Sequence, residues 1–398
     1  MELKVLHKIS ERVLNSIDLS FKRYLYDRID FNSRLIVIKG SRGVGKTTLI
    51  LQAIKEHSDP KKSIWLSLDH ILFTTVRVIT VIDSLYEEGY RTFAFDEVHK
   101  YPDWSIEIKN IYDSYPDINM LVTASDALNI MQGMGDLSRR ADVYHLKGLS
   151  FREYLSLDHN INLDIYSYTD LKSHHIEISE TMVQDIDILK YFNSYLKMGY
   201  YPYFIESKKR YPEKVKQVIN HVIEIDLPPI FAIDYKSIRQ LKKLLALLAR
   251  LVPYTPEITK LSRDVGIGRN RILQFLDYLN SAGLINLLNS ARKTDSIMSK
   301  PDKIFMENTN IIYALGLGIA HAGTIREIYA MNALSTTEEV HTPLKGDFMI
   351  NHTDIAEVGG KNKNFKQIYD MPNSYLLKDG IAVGGTDVMP LWCLGLLY

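Results

Sequence analysis

The first third of the chain alternates short, nearly all-apolar runs with stretches whose apolar residues recur at helical spacing. The runs Leu35–Ile38, Ile64–Leu68, Thr92–Phe95, Met120–Thr123 and Val143–Leu146 predict strands. Thr47–Lys55, Thr75–Tyr86 and Trp104–Tyr112 predict the helices between them. Strands this apolar are covered on both faces, so the alternation predicts an α/β fold built on a parallel sheet. After Leu146 the pattern changes. Phe151 to Leu251 reads as mostly helical, with aromatic connections such as Gly199-Tyr200-Tyr201-Pro202-Tyr203. Glu257–Val265, the turn Gly266-Ile267-Gly268 and Arg269–Ala282 follow helix-turn-helix grammar, with Ile272, Phe275, Leu276 and Leu279 on one face of the second helix. Leu284–Leu288 is placed as a wing strand. The remainder combines one helix, Thr324–Leu334, with short strands and glycine turns. Boundaries are expected near 150 and near 290–300.

The chain has 398 residues, enough for two or three domains. Its 48 basic and 48 acidic residues cancel, which argues against a globally basic nucleic-acid binder and leaves only a local patch for such contacts. A single cysteine, Cys393, rules out an intramolecular disulfide and argues against a cysteine-based zinc site. The N-terminus lacks the apolar core of a signal peptide, and the most apolar stretch, Leu244–Val252, is too short to span a membrane. A soluble protein of a reducing cytoplasm is expected, with no membrane partner.

Gly40-Ser41-Arg42-Gly43-Val44-Gly45-Lys46-Thr47, followed by Thr48, fits the phosphate-binding loop G-x-x-x-x-G-K-[ST] in full. It sits between a predicted strand and a predicted helix, where glycines let successive N–H groups face an anion and the helix dipole adds to them. Lys46 is expected to neutralise the β- and γ-phosphates, and Thr47 to offer its hydroxyl to Mg²⁺. Phe93-Ala94-Phe95-Asp96-Glu97 is an apolar strand ending in two carboxylates. Asp96 is assigned to Mg²⁺ and Glu97 to the attacking water, which favours hydrolysis over nucleotide binding alone. Ser125 ends a further strand and either orients the γ-phosphate or starts the next helix. No guanine-reading Asn-Lys-x-Asp motif follows, which favours ATP. Arg139 and Arg140 precede the strand Val143–Leu146; either they form a solvated pair, or one reaches the γ-phosphate in cis or from a neighbouring subunit, with Arg140 preferred.

The chain resembles predicted AAA-type ATPases of bacteria and archaea that carry a C-terminal nuclease-like domain. The resemblance is carried by the loop Gly40–Thr48, by Phe95-Asp96-Glu97-Val98-His99-Lys100-Tyr101-Pro102-Asp103-Trp104 and by Leu149-Ser150-Phe151-Arg152-Glu153-Tyr154. Further on come Asn308-Thr309-Asn310, Gly346-Asp347-Phe348, Glu357-Val358-Gly359-Gly360-Lys361 and Pro390-Leu391-Trp392-Cys393-Leu394-Gly395. It implies a P-loop NTPase parallel-sheet domain over residues 1–150, a helical and winged-helix module over 151–295, and a small α+β restriction-endonuclease-like domain over 296–398. It also implies ATP and Mg²⁺ as cofactors. Ala124 and Asp126 depart from the family, which usually has glycine and often a second serine there. An inward-pointing carboxylate at Asp126 is expected to slow hydrolysis by repelling the γ-phosphate.

Two further sites are weighed. Arg269, Asn270 and Arg271 open the second helix of the helix-turn-helix, where DNA readers place base-contacting side chains; docking of a protein is the competing use. In the last domain Asp347, Glu357 and Lys361, with Glu327 on the preceding helix, form the skeleton of a metal-dependent nuclease. The usual acid-x-Lys spacing fails because Gly359 occupies the acid position, so a degenerate nuclease fold is expected. The leading function is an ATP-binding and hydrolysing switch. The alternatives are an ATP-regulated Mg²⁺-dependent DNA nuclease and a DNA-binding regulator with a structural nucleotide.

Overall fold

A computed structural model describes residues 2–126, 137, 139–184, 186–291, 300–316 and 321–398. The chain forms two compact units, Met1–Gly148 and Leu149–Tyr398.

In the first unit, helix α1 (Glu2–Asn15) precedes strand β1 (Leu35–Gly40), α2 (Lys46–His57), β2 (Ser63–Ser67), α3 (Val78–Glu87), β3 (Thr92–Asp96), α4 (Trp104–Ser114), β4 (Asn119–Ser125) and β5 (Asp142–His145). The five strands form one sheet in the order β2-β3-β4-β1-β5, and every pairing is parallel. Register sets Gly40 beside Ser125 and Phe95 beside Val122. The apolar runs form strands because both faces are covered. Leu35, Val37, Phe93, Phe95, Met120 and Val122 are buried in one cluster with Val81, Ile82 and Leu85 of α3 and Ile108 and Ile111 of α4. Glu107, buried on α4, accepts from Arg77 Nε at 2.7 Å, Ile79 N at 3.0 Å and the Tyr101 hydroxyl at 2.9 Å. It thereby caps the start of α3 and fixes the turn that follows β3.

The second unit opens with helices Phe151–His159, Tyr168–Met182, Ile188–Met198, Tyr211–His221 and Tyr235–Leu251. Ser150 and Glu153 form a capping box, each side chain accepting from the other's backbone N–H, at 3.1 and 3.0 Å. Helices Ile258–Val265 and Arg269–Ser281 then lead into β6 (Ile285–Leu288), which pairs antiparallel with β7 (Lys303–Met306). Asn308 caps helix Thr309–Leu315, and Asn310 accepts from the N–H groups of Gly199 and Tyr200 at 2.9 Å each. Much of the sequence pattern behind the resemblance is therefore used to start helices and join segments. Helix Ala322–Thr337 packs on a second sheet. That sheet holds β8 (Val340–His341), β9 (Phe348–Ile350), β10 (Asp354–Gly359), β11 (Ser374–Lys378) and β12 (Val388–Pro390) in the order β12-β11-β10-β9-β8. It is antiparallel from β8 to β10 and parallel from β10 to β12. Among the described residues no helix is long and apolar enough to cross a membrane.

Candidate functional site

The loop between β1 and α2 lies at the carboxyl ends of the parallel strands, the position where open α/β sheets place ligands. Gly43 and Gly45 have φ of 86° and 99°, a left-handed backbone that favours glycine. Gly40 serves another purpose: a Cβ there would collide with the Leu146 carbonyl. Lys46 is curled back into the loop, donating to the carbonyls of Gly40 at 2.7 Å and Ser41 at 3.0 Å. Burial pulls its ammonium below its usual pKa, and the negative charge of Asp126, then of Glu97 and Asp96, resists that shift.

β3 delivers the two carboxylates. The Thr47 hydroxyl lies 2.9 and 3.1 Å from the two Asp96 oxygens, and Thr123 on β4 donates to Asp96 as well. Thr123 also accepts from the Glu97 N–H at 3.0 Å. Glu97 itself has a left-handed backbone, φ 53°, a conformation costly for a residue with a Cβ. It turns the Glu97 carboxylate toward Arg42, 3.6 Å away. Burial raises the Glu97 carboxyl pKa, and Arg42 opposes that shift. The arrangement thus holds two cations, Lys46 and Arg42, one hydroxyl–carboxylate pair and one desolvated carboxylate around the loop.

The structure brings together Gly40, Ser41, Arg42, Gly43, Val44, Gly45, Lys46, Thr47, Asp96 and Glu97, with Thr48 following on α2. Ser125 ends β4 in register with Gly40. Arg140 is placed differently from the expectation that it reaches the γ-phosphate in cis. It precedes β5 at the amino-terminal edge of the sheet, and Asp142 pairs with Ile36, so the length of β1 separates it from the loop. At about 3.3 Å per residue that is roughly 20 Å. Asp113 holds it there, accepting from Nε at 2.9 Å and Nη2 at 3.0 Å.

Two residues of the site carry no local signal. Thr123 reaches Asp96 only through strand register. Arg23 is buried and donates to the Val44 carbonyl, to Lys147 O at 2.8 Å and to Gly148 O at 2.9 Å, clamping the loop's outer turn. Asp126, a departure from the resembled family, is buried beside the loop. It accepts from the Ser41 hydroxyl at 3.0 Å and lies 2.7 Å from His145 Nε2. Burial pushes its carboxyl up, but the hydrogen bond and charge of His145, then Lys46, outweigh that and leave it below the usual range.

In the second unit, Asp347 precedes β9 and accepts from the Val358 N–H at 2.9 Å. Lys303 lies 2.6 Å from Glu327 and 3.7 Å from Asp347. The lysine paired with Glu357 is Lys363, where strand alternation points to Lys361. β10 ends at Gly359 and the chain turns, so alternation does not carry to Lys361; a Cβ on Gly359 would collide with the Lys363 stem. Glu357 is 2 % exposed, and its Oε2 has no hydrogen-bond partner among the described residues. Burial raises the carboxyls of both Glu327 and Glu357, with Asp347 adding to each. The three carboxylates do not form a group whose ligand atoms lie within 4.8 Å of one another. In the helix pair, Arg269 and Asn270 are exposed, whereas Arg271 donates to Ser237 and Gln274 at 3.2 Å each and stacks on Phe275.

Residues 32–155 match the family described as AAA domain, and residues 189–322 match a domain of unknown function. The AAA-domain match thus spans β1 to β5 and the phosphate-binding loop of the first unit. Two uncharacterized proteins of Methanocaldococcus jannaschii are similar. One is 23 % identical over 94 % of this chain and 87 % of its own length, the other 23 % over 72 % and 65 %. Among solved structures, a katanin self-assembly structure matches 42 % of this chain and 60 % of its own at 15 % identity and TM-score 0.25. PCH-2 of C. elegans matches 69 % and 67 % at 17 % identity and TM-score 0.24.

Proposed function

We propose that the first unit binds ATP with Mg²⁺ and hydrolyses it, and that the nucleotide cycle switches the state of the second unit. The observation that supports this reading is the convergence of Lys46, Thr47, Asp96 and Glu97 at the carboxyl ends of β1 and β3. The hydroxyl–carboxylate pair of Thr47 and Asp96 is an all-oxygen donor set, which suits Mg²⁺. Bound there, the ion supplies positive charge against the β- and γ-phosphates. Lys46 exchanges its loop carbonyls for phosphate oxygens. Glu97, desolvated and restrained by Thr123 and Arg42, orients the attacking water and takes up its proton. Gly40 to Thr48 cradle the phosphates with backbone N–H groups, and Ser125 lies beside them. Within this reading Arg140 serves only a neighbouring subunit.

For the second unit we propose a winged helix, supported by the two consecutive helices and the β6–β7 ribbon, followed by a degenerate nuclease-like fold. Lys363 occupies the space of the missing side chain at Gly359 and neutralises Glu357, so the cluster stands as an internal ion pair. A Mg²⁺-dependent nuclease is the less supported alternative. DNA contact falls to Arg269 and Asn270, since Arg271 is engaged by its own fold; a protein partner competes for that face. The single cysteine, Cys393, is buried and has no second cysteine to pair with, in keeping with the cytoplasmic placement proposed here.

The deciding experiment is ATP turnover by the purified chain, with and without DNA, with mass measured in ATP and in ADP. Mg²⁺-dependent turnover lost in Glu97→Gln supports the switch. Absence of ATP binding removes it. DNA cleavage lost in both Asp347→Ala and Glu357→Ala promotes the nuclease.

A further inference from the structure

We propose that Glu339, His341 and His352 form a binding site for a late first-row divalent transition ion, Zn²⁺ foremost, at the β8 edge of the second sheet. This site is independent of the nucleotide reading. Glu339 immediately precedes β8 and His341 ends it, and the two backbone-level bonds of Glu339 to Asn351 continue the pairing, so that the two side chains project to one face. β8 pairs antiparallel with β9, Val340 opposite Ile350. Regular pairing beyond Ile350 would send residue 352 to the other face. Instead Asn351 and His352 both take left-handed backbones, with φ of 49° and 61°. Asn351 is held in that turn by three hydrogen bonds. Its N–H donates to Glu339 O at 2.9 Å, its Oδ1 accepts from Glu339 N at 3.0 Å, and its Nδ2 donates to Glu338 at 2.6 Å.

The turn lays the His352 ring over His341, with centroids 4.7 Å apart and planes 28° from parallel. His352 Nε2 is 2.8 Å from Glu339 Oε2, and His341 Nε2 is 4.0 Å from the same oxygen. One ligand atom from each residue lies within 4.8 Å of the others. Ligands at about 2.0–2.2 Å around a tetrahedral ion stand roughly 3.3 Å apart, inside the range already spanned here.

The second observation is at His341. Its Nε2 is shut off from solvent and has no hydrogen-bond partner among the described residues. Glu339 satisfies His352 at hydrogen-bond distance and leaves that nitrogen without an acceptor. A divalent ion resolves that condition, taking a lone pair from each imidazole and one carboxylate oxygen. Two imidazoles and a carboxylate select Zn²⁺ and its neighbours over Mg²⁺ and Ca²⁺, which take oxygen-only shells. Glu339 and His352 are 70 % and 54 % exposed, so the ion enters from solvent and keeps a position for water or a partner's side chain.

The test uses the full chain stripped with chelator and kept in excess Mg²⁺ without nucleotide. Zn²⁺ is titrated against a chromophoric competitor, and Co²⁺ is followed by its visible absorption. One tight equivalent is expected. Partners in a metal's outer shell are worth about 10–100-fold in affinity, so loss of a ligand should weaken binding by at least tenfold. That loss is expected in His341→Asn, His352→Asn and Glu339→Gln, with far-UV circular dichroism unchanged. Zn²⁺ should raise the Tm of the wild type and not of the variants. Glu339→Gln alters an exposed side chain and keeps the test valid if a histidine variant misfolds. Equal Zn²⁺ affinity in wild type and Glu339→Gln together with either histidine variant, or no binding above a surface-histidine background, overturns the proposal.

Discussion

The Ser41 hydroxyl donates to Asp126 across 3.0 Å, so a carboxylate outside the phosphate-loop motif is tied to the loop's second residue. That carboxylate is buried and resists the loss of charge on Lys46. Asp126→Asn keeps an acceptor for Ser41 and removes a negative charge from the phosphate region. Unit charges several ångströms apart at a partly buried site interact by about 1–2 kcal/mol. The Kd for ATP should therefore fall by roughly fivefold to thirtyfold, measured by calorimetry. Weaker binding in Asp126→Asn would show that the carboxylate's main effect is to keep Lys46 charged.

Lys46→Ala should lose ATP affinity by about 10–100-fold while unfolding normally in urea, because charge-assisted hydrogen bonds are worth about 1.5–3 kcal/mol. Its partners are loop carbonyls, so no core contact goes with it. Wild-type affinity in a folded Lys46→Ala protein would contradict the loop assignment.

Glu97→Gln should keep ATP binding and lower kcat by about 10²–10⁴. The pH profile gives a sharper check. A base acts deprotonated, so turnover is lost as pH falls through its pKa. Burial raises the Glu97 carboxyl and Arg42 opposes the rise, so the acid limb should lie above the ordinary glutamate value. Arg42→Ala removes the opposing cation and should move that limb to still higher pH, whereas Arg42→Lys should largely restore it. A limb that stays in place in Arg42→Ala belongs to another group.

Lys363→Ala should destabilise the second unit by about 1–3 kcal/mol near neutral pH, since it leaves the buried Glu357 charge unpaired. Burial raises the folded-state pKa of Glu357. The folded form then binds a proton that the unfolded form releases. Stability therefore rises as pH falls through the raised value toward the ordinary one, and the deficit against wild type should shrink. Urea unfolding at several pH values measures it. A deficit constant with pH would trace to lost packing over Gly359.

The strand–loop–helix order around Lys46 is legible in the sequence because its residues are consecutive and its glycines answer a local backbone requirement. Asp96 and Glu97 are legible because an apolar run stops at them. Thr123 and Arg23 are not, because register and long-range folding bring them to the loop. Alternation points to Lys361 and fails because β10 ends two residues earlier. Arg140 shows the converse: proximity in sequence to a strand does not reveal which end of the sheet it occupies.

The second unit's opening helix is sealed by a segment far along the chain. The Phe151 Cβ bears on Gly395, where any side chain would collide with it and with the Tyr329 hydroxyl, and that hydroxyl reaches the Trp392 carbonyl at 3.4 Å. During synthesis at about 5–20 residues per second, that helix waits on the order of ten seconds or more for its cover. The rings of Phe151 and Tyr154 find Tyr195 much earlier, but the side of Phe151 that meets Gly395 stays uncovered for that interval. Closing so long a loop delays the reward of contact until late in folding, which makes the nascent second unit the vulnerable stage in the life of this chain.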